Sequence, residues 1–136
     1  MQILRIAASL LVLATAVPPQ VAHGEEGPLS PQSYEGIPFV SGGVGLEERE
    51  QITRLGREYN LKLLFAERGG DYLGDVKIVV AKPQGKTVLE ATADGPVCLA
   101  RLPQGNYRVS VSANGQEQVR TARISANGQQ ALTFRW

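Results

Sequence analysis

From Asn106 to Ser112 polar and apolar residues alternate without a break, with Tyr107, Val109 and Val111 on one side and Asn106, Arg108, Ser110 and Ser112 on the other. A period of two marks a strand with one buried face. Just before it, Pro103 presets one turn position and Gly105 accepts a left-handed one, so the pattern predicts a three-residue hairpin loop over 103–105. This loop sets Leu102 against Asn106, Leu99 against Val109 and Val97 against Val111, which gathers the apolar residues on one face. A two-residue loop turns Cys98 and Ala100 inward instead, a poorer core.

The same reading gives seven strands from Leu61 onward. Leu61–Glu67 ends at Gly69-Gly70, and Leu73–Lys82 follows with Val76, Ile78 and Val80 inward. Pro83-Gln84-Gly85 turns the chain into Thr87–Thr92, and Asp94-Gly95-Pro96 breaks it again. After the predicted hairpin, Asn114-Gly115 accepts positive φ at both positions and predicts a two-residue turn. In Gln116–Ser125 the apolar parity changes between Val119 and Ala122, which predicts a bulge or an edge position. Asn127-Gly128 precedes a last strand with Leu132, Phe134 and Trp136 on one face. Seven short strands joined by Gly, Pro and Asn turns predict a mainly β chain, a seven-stranded antiparallel β-sandwich over residues 61–136.

Residues 46–60 have helical composition, with Glu47, Glu48 and Glu50 in the first turns, where they complement the helix dipole. Ile52, Leu55 and Tyr59 form a narrow apolar stripe, so this helix is expected to pack on the domain, with Asn60 as a left-handed stop. Residues 25–45 hold Pro28, Pro31 and Pro38 among glycines and read as a flexible arm. Within the arm, Ile37-Pro38-Phe39-Val40 can dock only as an edge strand, because Pro38 lacks a ladder donor. Residues 1–24 read as a signal peptide: a basic start, an apolar run from Ile6 to Val17 too short to span a bilayer, and small residues at Ala22 and Gly24. The expectation is a periplasmic or secreted protein with no transmembrane segment after cleavage.

Removing that leader takes Arg5 with it, so the fourteen Lys and Arg fall to thirteen and match the thirteen Asp and Glu. A neutral chain offers no basic field for nucleic acid. The charge is uneven, however, with an acidic excess in 25–76 and a basic excess in 77–136, either a dipole that orients a partner or a solvated surface. Cys98 is the single cysteine, so no internal disulfide is available and the fold rests on apolar contacts. The single histidine, His23, belongs to the leader. Without it the mature chain has no imidazole for nucleophilic triads, zinc binding or acid-base chemistry. Asp71 and Asp75 are too few ligands for calcium. The glycines before the helix lack a phosphate-binding spacing and face three carboxylates.

The runs Tyr72-Leu73-Gly74-Asp75-Val76-Lys77-Ile78-Val79-Val80, Gly95-Pro96-Val97-Cys98-Leu99 and Leu102-Pro103-Gln104-Gly105-Asn106-Tyr107-Arg108-Val109 resemble the carboxypeptidase regulatory-like domain. With Gly36–Gly45 and Tyr59-Asn60-Leu61, the whole chain is similar to a group of small exported proteobacterial proteins. The resemblance implies a transthyretin-like (prealbumin-like) sandwich and an accessory role, and carries no catalytic, cofactor-binding or metal-binding residues. The expectation is a non-enzymatic module without cofactors that docks on a protein partner through a sheet edge or the 46–59 helix. The alternative is a carbohydrate-binding module that stacks sugar on Tyr59, Tyr72 or Trp136.

Overall fold

Alternating dry and wet residues leave most strands with one face to bury, and two sheets meet over those faces. The computed structural model describes residues 29–136, and the expected leader, with His23, lies outside them. The elements run β1 (Gln32–Tyr34), β2 (Ile37–Gly42), α1 (Leu46–Leu55), a 3-10 turn (Gly56–Glu58), β3 (Leu61–Ala66), β4 (Val76–Ala81), β5 (Thr87–Ala93), β6 (Val97–Ala100), β7 (Gly105–Ala113), β8 (Gln116–Ile124) and β9 (Gln130–Arg135). One sheet has the order β1-β2-β6-β3-β9 and the other β5-β4-β7-β8. Leu61, Leu63, Phe65 and Phe134 from the first meet Ile78, Val80, Tyr107, Val109 and Val111 from the second in the main core.

Seven of the strands lie where the alternation places them, after Leu61, but the described residues hold nine. The other two come from 25–45, the stretch expected to be a flexible arm. Glu35 and Gly36, with φ of 45° and 87°, close a two-residue hairpin between β1 and β2. Nor does β2 lie at an edge: it sits between β1 and β6. Pro38 is tolerated because the β2–β6 ladder begins one residue later, at Phe39↔Ala100, while the Pro38 carbonyl still accepts from Arg101 N at 3.0 Å. The sandwich is also not wholly antiparallel, since β9 runs parallel to β3 from Leu61↔Gln130 to Ala66↔Arg135.

The largest correction concerns 97–113. β6 and β7 are not a hairpin but belong to different sheets, and Leu102–Gln104 carries the chain across the core. All four β6 residues are buried because this strand has cover on both faces: Cys98 and Ala100 point into the main core, Val97 and Leu99 toward the helix. The inward pair is therefore the one the predicted register turned outward. Alternation assigns faces but not neighbours, and a four-residue strand dry on both sides fits either register. Gly105, with φ 156°, opens β7 rather than closing a loop.

Two side chains hold the crossover. The Tyr107 hydroxyl donates to the Pro103 carbonyl at 2.6 Å. Asn60 Nδ2 donates to the Leu102 carbonyl at 2.7 Å, and Asn60 Oδ1 accepts from Leu102 N at 2.9 Å. Asn60 is thus no left-handed stop: α1 ends at Leu55, the 3-10 turn follows, and Tyr59 is already extended at φ −119°. The apolar stripe of the helix is where the spacing puts it, with Ile52, Leu55 and Tyr59 buried against Val40, Val97 and Leu99. Asn114-Gly115 turns with φ of 51° and 73°, and β8 is an edge strand in unbroken register with β7; the register slip lies in β4–β5, between Val80 and Ala81.

Replacing Asn60 with Ala leaves the nearly buried Leu102 N–H and C=O without partners, and Tyr107→Phe removes one further bond. Urea unfolding is expected to show a loss of about 2–4 kcal/mol for Asn60→Ala and about 1 kcal/mol for Tyr107→Phe. A loss below about 0.5 kcal/mol for Asn60→Ala would show that solvent reaches Leu102 and replaces the amide.

Candidate functional site

The three aromatic residues singled out from sequence stand in three different settings. Tyr59 is 8% exposed and belongs to the cluster under the helix. Trp136 is half-buried, with its ring 6.3 Å from Phe65 and 6.4 Å from Phe134, and its indole N–H donates to the Gln116 carbonyl. Tyr72 alone is open, at 57% exposure. Register separates the last two as well: Tyr72 bridges to Ala66 on the helix-covered side of β3, whereas Trp136 continues the inward line of Leu132 and Phe134. No pair of these rings forms a shared platform.

Tyr72 has other company. Val44 is 62% exposed and Leu46 is 71% exposed, and Val44 and Tyr72 line one shallow cleft of about 180 Å³ with Gly43, Arg49 and Pro96. Leu46 begins α1 directly after Gly45, half a turn away from the Ile52–Leu55 stripe, so the helix cannot bury it. The Arg49 guanidinium lies over the Tyr72 ring at 5.7 Å. Tyr72 is held by its bridge to Ala66 and by Leu73 N, which donates to the Phe65 carbonyl at 3.3 Å.

The loop that carries Val44 is built from close backbone approach. Gly43 and Gly45 hold φ of 104° and 85°, which other residues adopt only under strain. A Cβ on Gly95 would stand 2.5 Å from the Gly42 carbonyl oxygen, so the two chains pass too near for any side chain. Glu48 Oε1 accepts from Gly43 N and Arg49 Nε donates to the Gly43 carbonyl, both at 3.3 Å. The first turn of α1 therefore clasps both polar groups of Gly43. Gln51 works one turn deeper: at 2% exposure its amide accepts from Leu29 N and donates to Leu29 O, each at 2.9 Å.

A larger cleft, of about 500 Å³, opens under the other end of the helix. Its floor is sealed by Ile52, Tyr59 and Leu99, its rim carries Arg57 and Lys62, and Gln129 Nε2 is spent on the Gly56 and Tyr59 carbonyls. It offers two cations over a closed apolar floor. Burial, followed by the charges of Glu58 and Cys98, raises the Tyr59 phenol above its ordinary range.

Cys98 is fully buried and its thiol is pushed up to about 12 by desolvation. At neutral pH it is a protonated core group rather than a nucleophile. Among the described residues no three His, Cys, Asp or Glu side chains gather to hold a metal ion, and no helix is long and apolar enough to cross a membrane. No protein-family model matches the chain, and a search of curated proteins finds no relative.

Val44, Leu46 and Arg49 were not among the residues the sequence offered. A signal for Leu46 existed, since it falls off the apolar stripe of its own helix. Val44 had none, because a valine between glycines reads equally as a loop or as the end of a strand.

Cys98 yields a test in alkali. The folded thiol keeps its proton up to about 12 while the unfolded thiol, near 9, loses it, so the stability it supports is whole below pH 9 and drains as pH rises toward 12. The expected slope is up to about 1.4 kcal/mol per pH unit in that window, measured as the difference between wild type and Cys98→Ala in denaturant titrations. Thiol reagents are expected to label the protein only after unfolding.

Proposed function

We propose that the protein is a non-enzymatic module of the periplasm or the secreted fraction, and that it docks on another protein through Val44, Leu46 and Tyr72. The observation that carries this reading is the open apolar surface at the start of one helix: Val44 and Tyr72 line one cleft beside Arg49, and Leu46, also open, follows Val44 by two residues. Patches of this kind mark contact surfaces, and Tyr and Arg are the side chains that most often anchor them. Seating the helix does not use Leu46, because α1 buries its Ile52–Leu55 face. The clasp on Gly43 presents the loop in a set conformation, which lowers the ordering cost of binding.

The leader pattern in 1–24 supports export, and the burial of Cys98 supports a non-catalytic role. The division of the seven later strands into four and three, with β3 between β6 and β9, supports the prealbumin-like reading and the resemblance to carboxypeptidase regulatory-like domains. One observation favours sugar as a second reading: Tyr72 is a single open ring with a cation at its face.

The test places a photo-crosslinking residue at position 46 in the source cell, with position 92 on the uncovered sheet as control. A discrete adduct from position 46 alone, lost on Tyr72→Ala, is the expected result. No adduct, or equal adducts from both positions, overturns the docking reading. Binding on a glycan array that Tyr72→Ala abolishes replaces it with the sugar reading.

A further inference from the structure

We propose that β8 pairs with β8 of a second copy of this chain, antiparallel about a two-fold axis at Arg120, so that Glu117 of each copy faces Arg123 of the other. The surface is separate from the Val44–Leu46–Tyr72 patch, which lies by the helix on the other sheet.

The β7–β8 hairpin fixes which backbone groups are free. Its two-residue turn, with both φ positive, is closed by Ala113↔Gln116, and the pair flanking such a turn exchanges both of its hydrogen bonds. Alternation along the unbroken register makes Val111↔Gln118, Val109↔Arg120 and Tyr107↔Ala122 the bonded pairs. The N–H and C=O groups of Glu117, Val119, Thr121 and Arg123 then point away from β7. None of the turn, loop and cap bonds among the described residues engages them.

Identical strands that meet antiparallel are related by a two-fold axis, and only odd-numbered residues can face odd-numbered ones with donors and acceptors opposed. Centring on Val119 sets Glu117 against Thr121 and Arg123 against Gly115. A centre at Thr121 sets Glu117 against Ser125 and Arg123 against Val119. Centring on Arg120 sets Glu117 against Arg123 twice and Val119 against Thr121 twice. That register alone sets Glu117 against Arg123, and it places Thr121 beside Val119, which the single chain leaves 50% exposed; it also brings the two Arg120 residues together at the axis. An inward charge ordinarily blunts an edge. Here the Arg120 guanidinium is drawn over its own Phe134 ring, 5.0 Å from the centroid, toward its own sandwich rather than the seam.

The free edge is also the longest on offer. β1 has three residues, β5 joins β4 through a register slip, and the end of β9 is tied to β8 by Gln118 and Trp136.

Sedimentation equilibrium on the protein as purified is expected to show a monomer–dimer exchange. Glu117→Arg or Arg123→Glu alone is expected to raise the dissociation constant about tenfold, and the two together to restore it to within about threefold. Arg120→Cys probes the axis, because non-bonded antiparallel pairs bring Cα atoms within disulfide range, and the native Cys98 is buried. A disulfide-linked dimer is expected from Arg120→Cys and not from Thr121→Cys. A monomer at about 1 mM, a dimer indifferent to both charge reversals, or a double variant that fails to recover overturns the proposal. So does a β8 edge that crosslinks to a different protein while the chain sediments as a monomer. Adducts from position 46 are expected unchanged in every β8 variant, so failure of this pairing and failure of the docking reading are told apart.

Discussion

The sandwich depends on how its two sheets are joined at the crossover after β6, and Asn60 is the residue that joins them. Its backbone N–H donates to the Ala100 carbonyl, its carbonyl accepts from Gln130 N, and its side-chain amide pairs with both polar groups of Leu102. One residue thus ties the start of β3, the end of β6, the start of β9 and the crossover. The amide acts as an extra peptide group inserted where no strand is available. Buried backbone groups must find partners, and a crossover that leaves one sheet for the other loses those partners midway.

Gln51 repeats the device on the outside of the five-stranded sheet, where its amide pairs with Leu29 in the same two-bond manner. The candidate surface lies at the start of the same helix as Gln51. Gly43 is clasped by Glu48 and Arg49, Gly95 passes against Gly42, and Ser41 Oγ accepts from Asp94 N. The glycines before the helix, which lack a phosphate-binding spacing, are also already occupied: the Gly43 N–H faces Glu48. With the loop held this way Val44 and Leu46 stay open, and Val44 lines its cleft beside Tyr72.

Much of the fold was legible because its strands obey period two. Tyr107, Val109 and Val111 are buried and Arg108 is exposed, as alternation requires, and Ile52, Leu55 and Tyr59 line the helix. What failed was adjacency. Pro103 and Gly105 suit a hairpin loop and suit a crossover equally well, and the choice was made by Cys98 and Ala100, small enough to face a core already filled by Phe65 and Phe134. Composition misjudged 25–45 because it counts apolar residues and not ladder partners: β2 is held by β1 and β6 across a run that includes a proline. Asn60 and Gln51 were invisible as ties, since a polar side chain announces its bonds only once its neighbours are placed. Tyr59 and Trp136 had core roles open to them in sequence and took them, which left Tyr72 as the one open ring of the three.

The parallel pairing of β3 with β9 sets the tempo of folding. Leu61 must wait for Gln130, and β3 sits between β6 and β9 with no hairpin to bring either to it. Contacts of such long sequence separation are paid for in chain entropy before they return any energy, so this topology condenses slowly compared with a chain of local hairpins. Until β9 arrives, Phe134 is missing from the core and Phe65 lacks the ring that stacks on it at 6.1 Å, so the last layer of the interior closes late.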